Sequence, residues 1–189
     1  MTATAANMTA TTVCNGVDVG AMMETIAAVK AEPSIARFRF RAANQWRGGG
    51  HNRSTIQGFY GAGQEDATRT EPFVLDADEP PVLLGEDRGA NPVEFVLHAL
   101  AACMTTTMAY HAAARGIAIE AIDSKLEGDL DLRGFLDLAK VRKGYSQVRV
   151  TFRVKTKADP SVLAELVTFS PVHDMISTAL PVKVAIETY

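Results

Sequence analysis

Hydrophobic and polar positions along this chain change their period several times, and each change marks an element. Over residues 18–31 (DVGAMMETIAAVKA), Val19, Met22, Met23, Ile26 and Val29 fall at the spacing of one helix face. Asp18 is placed to cap that helix, and Pro33 ends it soon after Lys30. The period then drops to two in ARFRFRAAN, with Phe38, Phe40 and Ala42 on one side and Arg37, Arg39 and Arg41 on the other, which predicts a half-buried strand. Gly48-Gly49-Gly50 interrupts it, a hairpin partner follows over 54–60, and a third short strand is predicted over 72–76. A loop punctuated by Pro and Gly, DEPPVLLGEDRGAN (78–91), leads into a long helix from Pro92 to about Arg115, closed by Gly116 at the C′ position. Residues 117–132 read as an extended strand, 133–144 as an insertion in a hairpin, and 145–157 as a strand with Val148, Val150, Phe152 and Val154 on one face. One helix follows Asp159-Pro160, another starts at Ser170-Pro171, and PVKVAIET (181–188) predicts a closing strand. Strands in sets with helices between them make the class α+β.

Composition narrows the function without naming it. The chain has 189 residues, 47% hydrophobic and 22% charged, which suits one soluble domain with a sizeable core. A net charge of −3 gives no reason to expect nucleic acid or an anionic membrane as partner. Two cysteines, Cys14 and Cys103, are too few for a disulfide-stapled secreted fold, so a reducing cytoplasm is the expected location. The start, MTATAANMTATTVC, lacks the basic and apolar regions of a signal peptide, and residues 1–17 are expected to be a flexible tail. Residues 95–114 contain no Asp, Glu, Lys or Arg, yet they carry His98, His111 and three threonines, and much of their apolar content is alanine. A helix so weakly apolar on nearly all sides is expected inside a protein core rather than in a bilayer.

The candidate chemistry lies on that helix, in NPVEFVLHALAACMTTTM. Asn91 is a good N-cap, Pro92 suits N1, and Glu94 at N3 completes a capping box, which gives Glu94 a structural reading. Cys103 lies three turns in, beyond the reach of the helix dipole, and a small buried residue is its ordinary reading. To react near neutral pH the thiol needs a cation brought from elsewhere. His98 and His111, five before and eight after Cys103, are badly spaced for a shared metal, so no metal or other cofactor is expected. His173 and Asp174, in the first turn after Ser170, read as exposed polar residues.

NPVEFVLHALAAC followed by SPVHDMISTALPVKVAIE resembles the osmotically inducible protein C / organic hydroperoxide resistance (OsmC/Ohr) family over residues 37–189. The resemblance implies an OsmC-like fold, with antiparallel sheets around a long buried central helix in an intertwined homodimer. It also implies a thiol peroxidase scaffold, in which one cysteine attacks the peroxide and a second, before a proline, resolves the sulfenic acid. An arginine near the N-terminal hairpin favours the thiolate, and a glutamate after Asn-Pro holds the arginine. Carried over by position, Cys103 is the attacking thiol and Ser170 stands where the second cysteine would be. Val93 stands at the glutamate's place, with Glu94 a 100° helical step further on. Arg47 and Arg53 both flank the glycine turn, with Arg53 preferred. Cys14 has no positional match to the resolving cysteine.

These expectations divide the chain into a tail (1–17), an N-terminal helical extension (18–36) that packs on the core, and an OsmC-like domain (37–189). Two functions follow. One is a one-cysteine hydroperoxide reductase using Cys103, with Arg53, Glu94 and Ser170 at the site and an external thiol as reductant. The other is a non-catalytic dimer of the same fold that binds a small apolar or electrophilic ligand.

Overall fold

A computed structural model describes residues 13–178, so the closing strand expected over 181–188 lies outside the described residues, as does most of the expected tail. The chain divides into two compact units, Met1–Val96 and Leu97–Tyr189.

The first unit opens with a small hairpin. Strands β1 (Val13–Cys14) and β2 (Val17–Asp18) pair antiparallel. Asn15 and Gly16, both at positive φ, turn the chain between them, as a two-residue hairpin loop requires. Residues 13–17, the described end of the expected tail, are therefore ordered by pairing. Helix α1 (Val19–Ala31) starts as expected, with the Asp18 carboxylate accepting from the Ala21 N–H at 3.0 Å. None of its residues is fully buried; Val19, Met22, Ile26 and Val29 are partly covered. The expected packing on a core is thus incomplete.

The strand predicted over the Arg/Phe alternation is reduced to one bridge, Arg39 to Tyr60. Continuous pairing begins only at β3 (Ala43–Gly48), which joins β4 (His51–Ile56), and β4 in turn pairs with β7 (Phe73–Ala77), giving the antiparallel order β3-β4-β7. The hairpin β5 (Phe59–Gly61) and β6 (Gln64–Asp66) explains the difference, because Phe38, Phe40 and Arg41 bind to it through side chains. Phe38 and Phe40 stack with Phe59, and Arg41 forks onto Glu65 at 2.7 and 2.8 Å. Gly49-Gly50 makes the β3–β4 turn; Gly48 and Gly49 are both at positive φ, and a bulge lies at Trp46–Gly48.

Most of helix α2 (Pro92–Ala114) lies in the second unit, and burial follows a single row. Leu100, Met104, Met108 and Ala112, each four residues apart, are buried together with Ala113. Met108 and Ala112 form a core with Leu163 and Leu166 of α4 (Pro160–Val167), flanked by Ile119 and Ile122 of β8 (Ile119–Asp129) and by Phe152 and Val154 of β9 (Gln147–Thr156). Burial of the long helix is thus one-sided: Ala99, Ala102, Thr106 and Tyr110 stay exposed, because the described residues of this unit cover only the methionine row. By length and composition alone, Pro92–Ala114 would suffice to cross a membrane.

Strands β8 and β9 pair antiparallel, with Ile122 opposite Val154, Ser124 opposite Phe152 and Leu126 opposite Val150 on the side that carries core residues. The other side carries Glu120, Glu127 and Asp129, bonded to Lys155 and Arg149. The insertion between the strands holds one short turn, α3 (Leu132–Phe135), and α5 (Pro171–Ser177) is the last described element.

Candidate active site

Cys103 projects from α2 about 100° around the helix from the buried Met104 position. It is half-buried and lies on the wall of an open depression of about 590 Å³. The other walls come from Ala99, Ala102, Thr106, Thr107, Tyr110 and His111 of α2, and from Phe169 and Pro171 at the start of α5. His111 stacks on Phe169 with ring centroids 4.5 Å apart, which closes one end. Among the described residues, no arginine or lysine contributes to this wall. A thiol here is reachable by a small apolar molecule, and the lining itself supplies no cation to favour the thiolate.

The start of α5 is therefore beside the thiol's depression, but the Ser170 side chain turns away from it. Ser170 is fully buried, and its hydroxyl accepts from the His173 N–H at 3.2 Å, the N-cap of α5. His173 is half-buried and Asp174 is exposed. Among the described residues, no three His, Cys, Asp or Glu side chains gather as a metal ligand set.

In the first unit, Arg53 sits on β4 directly opposite Asp76 of β7. Its Nε and Nη2 donate to the two Asp76 oxygens at 2.8 and 2.9 Å, a bidentate grip. His51, two residues away on the same face of β4, places its Nε2 2.9 Å from Asp76 Oδ1. The Arg53 bonds, and after them the His51 bond, pull the Asp76 carboxyl down to about 2. Arg47, the other arginine of the hairpin, is exposed.

Glu94 does not hold Arg53. Its carboxylate accepts from the Asn91 backbone N–H at 2.9 Å, while the Asn91 side chain accepts from the Val93 N–H at 2.9 Å. This reciprocal pair is a capping box, the structural role expected from the local sequence. The Asn91 amide also donates to Glu79. Behind it, the buried Asp78 organises the loop by accepting from the backbone N–H groups of Glu79, Arg88 and Glu86. Burial raises the Asp78 pKa, yet these three bonds outweigh it and leave the carboxyl below its ordinary value.

Sequence reading singled out Arg53 but missed Asp76, His51 and Arg88. The signal lay in pairing register: Asp76 ends a predicted strand, and only the β4–β7 alignment sets it against Arg53.

The long helix entered through an Asn-Pro cap, with its cysteine three turns in, matches the OsmC-like protein family over residues 85–185, more than half of the chain. The chain belongs to the OsmC family. Among solved structures, an OsmC-like protein from Mycoplasma pneumoniae is similar over 75% of this chain and 89% of its own, at 15% identity and a TM-score of 0.53. A Psychrobacter arcticus protein, provisionally described as an osmotic stress induced and detoxification response protein, is similar over 70% of this chain and 85% of its own, at 14% identity and a TM-score of 0.53. A Legionella pneumophila organic hydroperoxide resistance protein is similar at 20% identity over 72% of this chain and 88% of its own, with a TM-score of 0.46. No curated protein matches the sequence. At their identities the Mycoplasma and Psychrobacter structures speak for the OsmC fold alone.

Proposed function

We propose that this OsmC-family chain is a cytoplasmic, dimeric hydroperoxide reductase that works through one cysteine. The carrying observation is the half-buried Cys103 on the wall of an open, largely apolar depression. The Cys103 thiolate attacks the distal oxygen of an organic hydroperoxide, an S–O bond forms, the O–O bond breaks, and the alkoxide leaves as the alcohol after taking a proton. The sulfur, now a sulfenic acid, condenses with an external thiol, releasing water and leaving a mixed disulfide. A second external thiol attacks that disulfide, returning Cys103 and carrying the two oxidised sulfurs away. The family's arginine role falls to Arg53, and Ser170 keeps its place as a helix cap. The exposed small and apolar side of α2 supports the dimer, since such a face gains stability when a second chain covers it. Consumption of an organic hydroperoxide in the presence of a small thiol tests this; equal rates for the wild type and Cys103→Ser would refute it.

A second reading has its own observation. Besides Cys103 and His111, the described lining is apolar and hydroxyl groups, which also suits a binding site for a small apolar or electrophilic ligand. Iodoacetamide rates against pH separate the two. A thiol that alkylates quickly below neutral pH belongs to the reductase, and one that reacts only in alkaline solution belongs to the binder.

A further inference from the structure

Arg53 reaches Asp76 through Nε and Nη2, the side edge of its guanidinium, so the Nη1 end is not used by that grip. A carboxylate can hold an arginine in several ways, and a single strand pair leaves the Asp76 side chain free to rotate between them. The same carboxylate has a second partner here, His51. Asp76 is ionised and accepts, so the ring nitrogen facing it, Nε2, carries the proton. The other nitrogen, Nδ1, lies 3.3 Å from Nη1 of Arg88, a permanent donor, and therefore accepts. Both ring nitrogens thus have a partner. Arg88 is fixed in turn: its backbone N–H bonds to the buried Asp78, and its Nη2 bonds to Glu86. Gly89, next in the chain, approaches the Asp76 backbone so closely that a Cβ there would overlap the Asp76 carbonyl. The His51 side chain is 13% exposed, the least of the ion-paired groups around Asp76.

We propose that His51 is a positioning residue for Arg53: it fixes the Asp76 carboxylate in the orientation that grips the guanidinium side-on and leaves its Nη1 end for the reaction. The proposal deepens the reductase reading by assigning its arginine a support built from this chain's own strands and loop. Its first test does not require that reading. Nitrogen-edited NMR follows the Arg53 Nε–H in the wild type, His51→Ala and His51→Gln, with circular dichroism to confirm folding. Glutamine can place its amide N–H where Nε2–H stands, so it should keep the support. A downfield, slowly exchanging Arg53 Nε–H is expected in the wild type and His51→Gln, and an exchange-broadened one in His51→Ala. An Arg53 signal unchanged in His51→Ala overturns the proposal.

The second test is kinetic. His51→Ala should lower kcat/KM for an organic hydroperoxide about tenfold, and His51→Gln should restore most of it. Equal kinetics in all three proteins, with the NMR change present, overturn the link to the reaction. A wild type without peroxide turnover defeats the reductase reading, and the NMR comparison then decides the grip.

Discussion

Single side chains carry most of the chemistry here, and two of them make opposite uses of a hydroxyl and a carboxylate. Ser170 uses its hydroxyl as a fully buried helix cap, so Ser170→Ala should cost about 1 kcal/mol, the ordinary value of such a cap, in chemical denaturation. An unchanged midpoint would show that α5 does not depend on it. Asp76 is an acid whose folded pKa, about 2, lies below the ordinary carboxylate value of 3.8. A depressed carboxyl contributes stability that is fully present above its unfolded pKa and is lost as pH falls through the folded one. The melting temperature of the wild type should therefore converge on that of Asp76→Asn as pH falls from above 4 toward about 2. A gap that stays constant across that window would place the stabilisation elsewhere. The groups that face this carboxylate are Arg53 and His51 from β4, with Arg88 and Asp78 behind His51 from the following loop.

Elements were legible where one period ran long enough to outvote its surroundings. The α2 helix, its Asn91–Glu94 box and its Gly116 stop followed from local sequence, as did both ribbon strands and the caps at Asp159 and Ser170. The Arg/Phe alternation misled because period two records which side chains share a face, not whether the backbone finds a partner. Residues 38–41 satisfied the pattern through aromatic stacking and the Arg41–Glu65 fork instead. The Asn15-Gly16 turn was legible and was missed, being a hairpin signal hidden in an alanine- and threonine-rich start. Of the candidate residues, Cys103 stands out by its place on the long helix and Arg53 by its place beside the glycine turn, whereas Asp76 and His51 acquire meaning only from the β4–β7 register. The helix stop offers a clean test, because Gly116 has φ +68 and open space around its missing side chain. Gly116→Ala should destabilise by roughly 1 kcal/mol through backbone strain alone.

At the scale of the whole molecule, the long helix is the element shared by the core and the chemistry. Its methionine row anchors the second unit, so Met108→Ala, at 2% exposure, should cost roughly 2–5 kcal/mol by leaving a cavity against Leu163 and Leu166. Its other side is left open by the described residues. If a second copy covers it, the melting temperature should rise with protein concentration, and light scattering should give twice the chain mass. A concentration-independent melt with monomer mass would count against the dimer.

The buried hydroxyl of Ser170 also has a consequence for time. An enzyme with its own resolving thiol closes its oxidised state at a fixed rate. Under the one-cysteine scheme, oxidised Cys103 waits for a thiol to diffuse in, and the wait lengthens as that thiol is depleted. During the wait a second peroxide competes for the same sulfur, and its product, a sulfinic acid, does not return to the thiol by exchange. The ratio of thiol to peroxide, rather than peroxide alone, would then set how many turnovers each molecule completes before it stops.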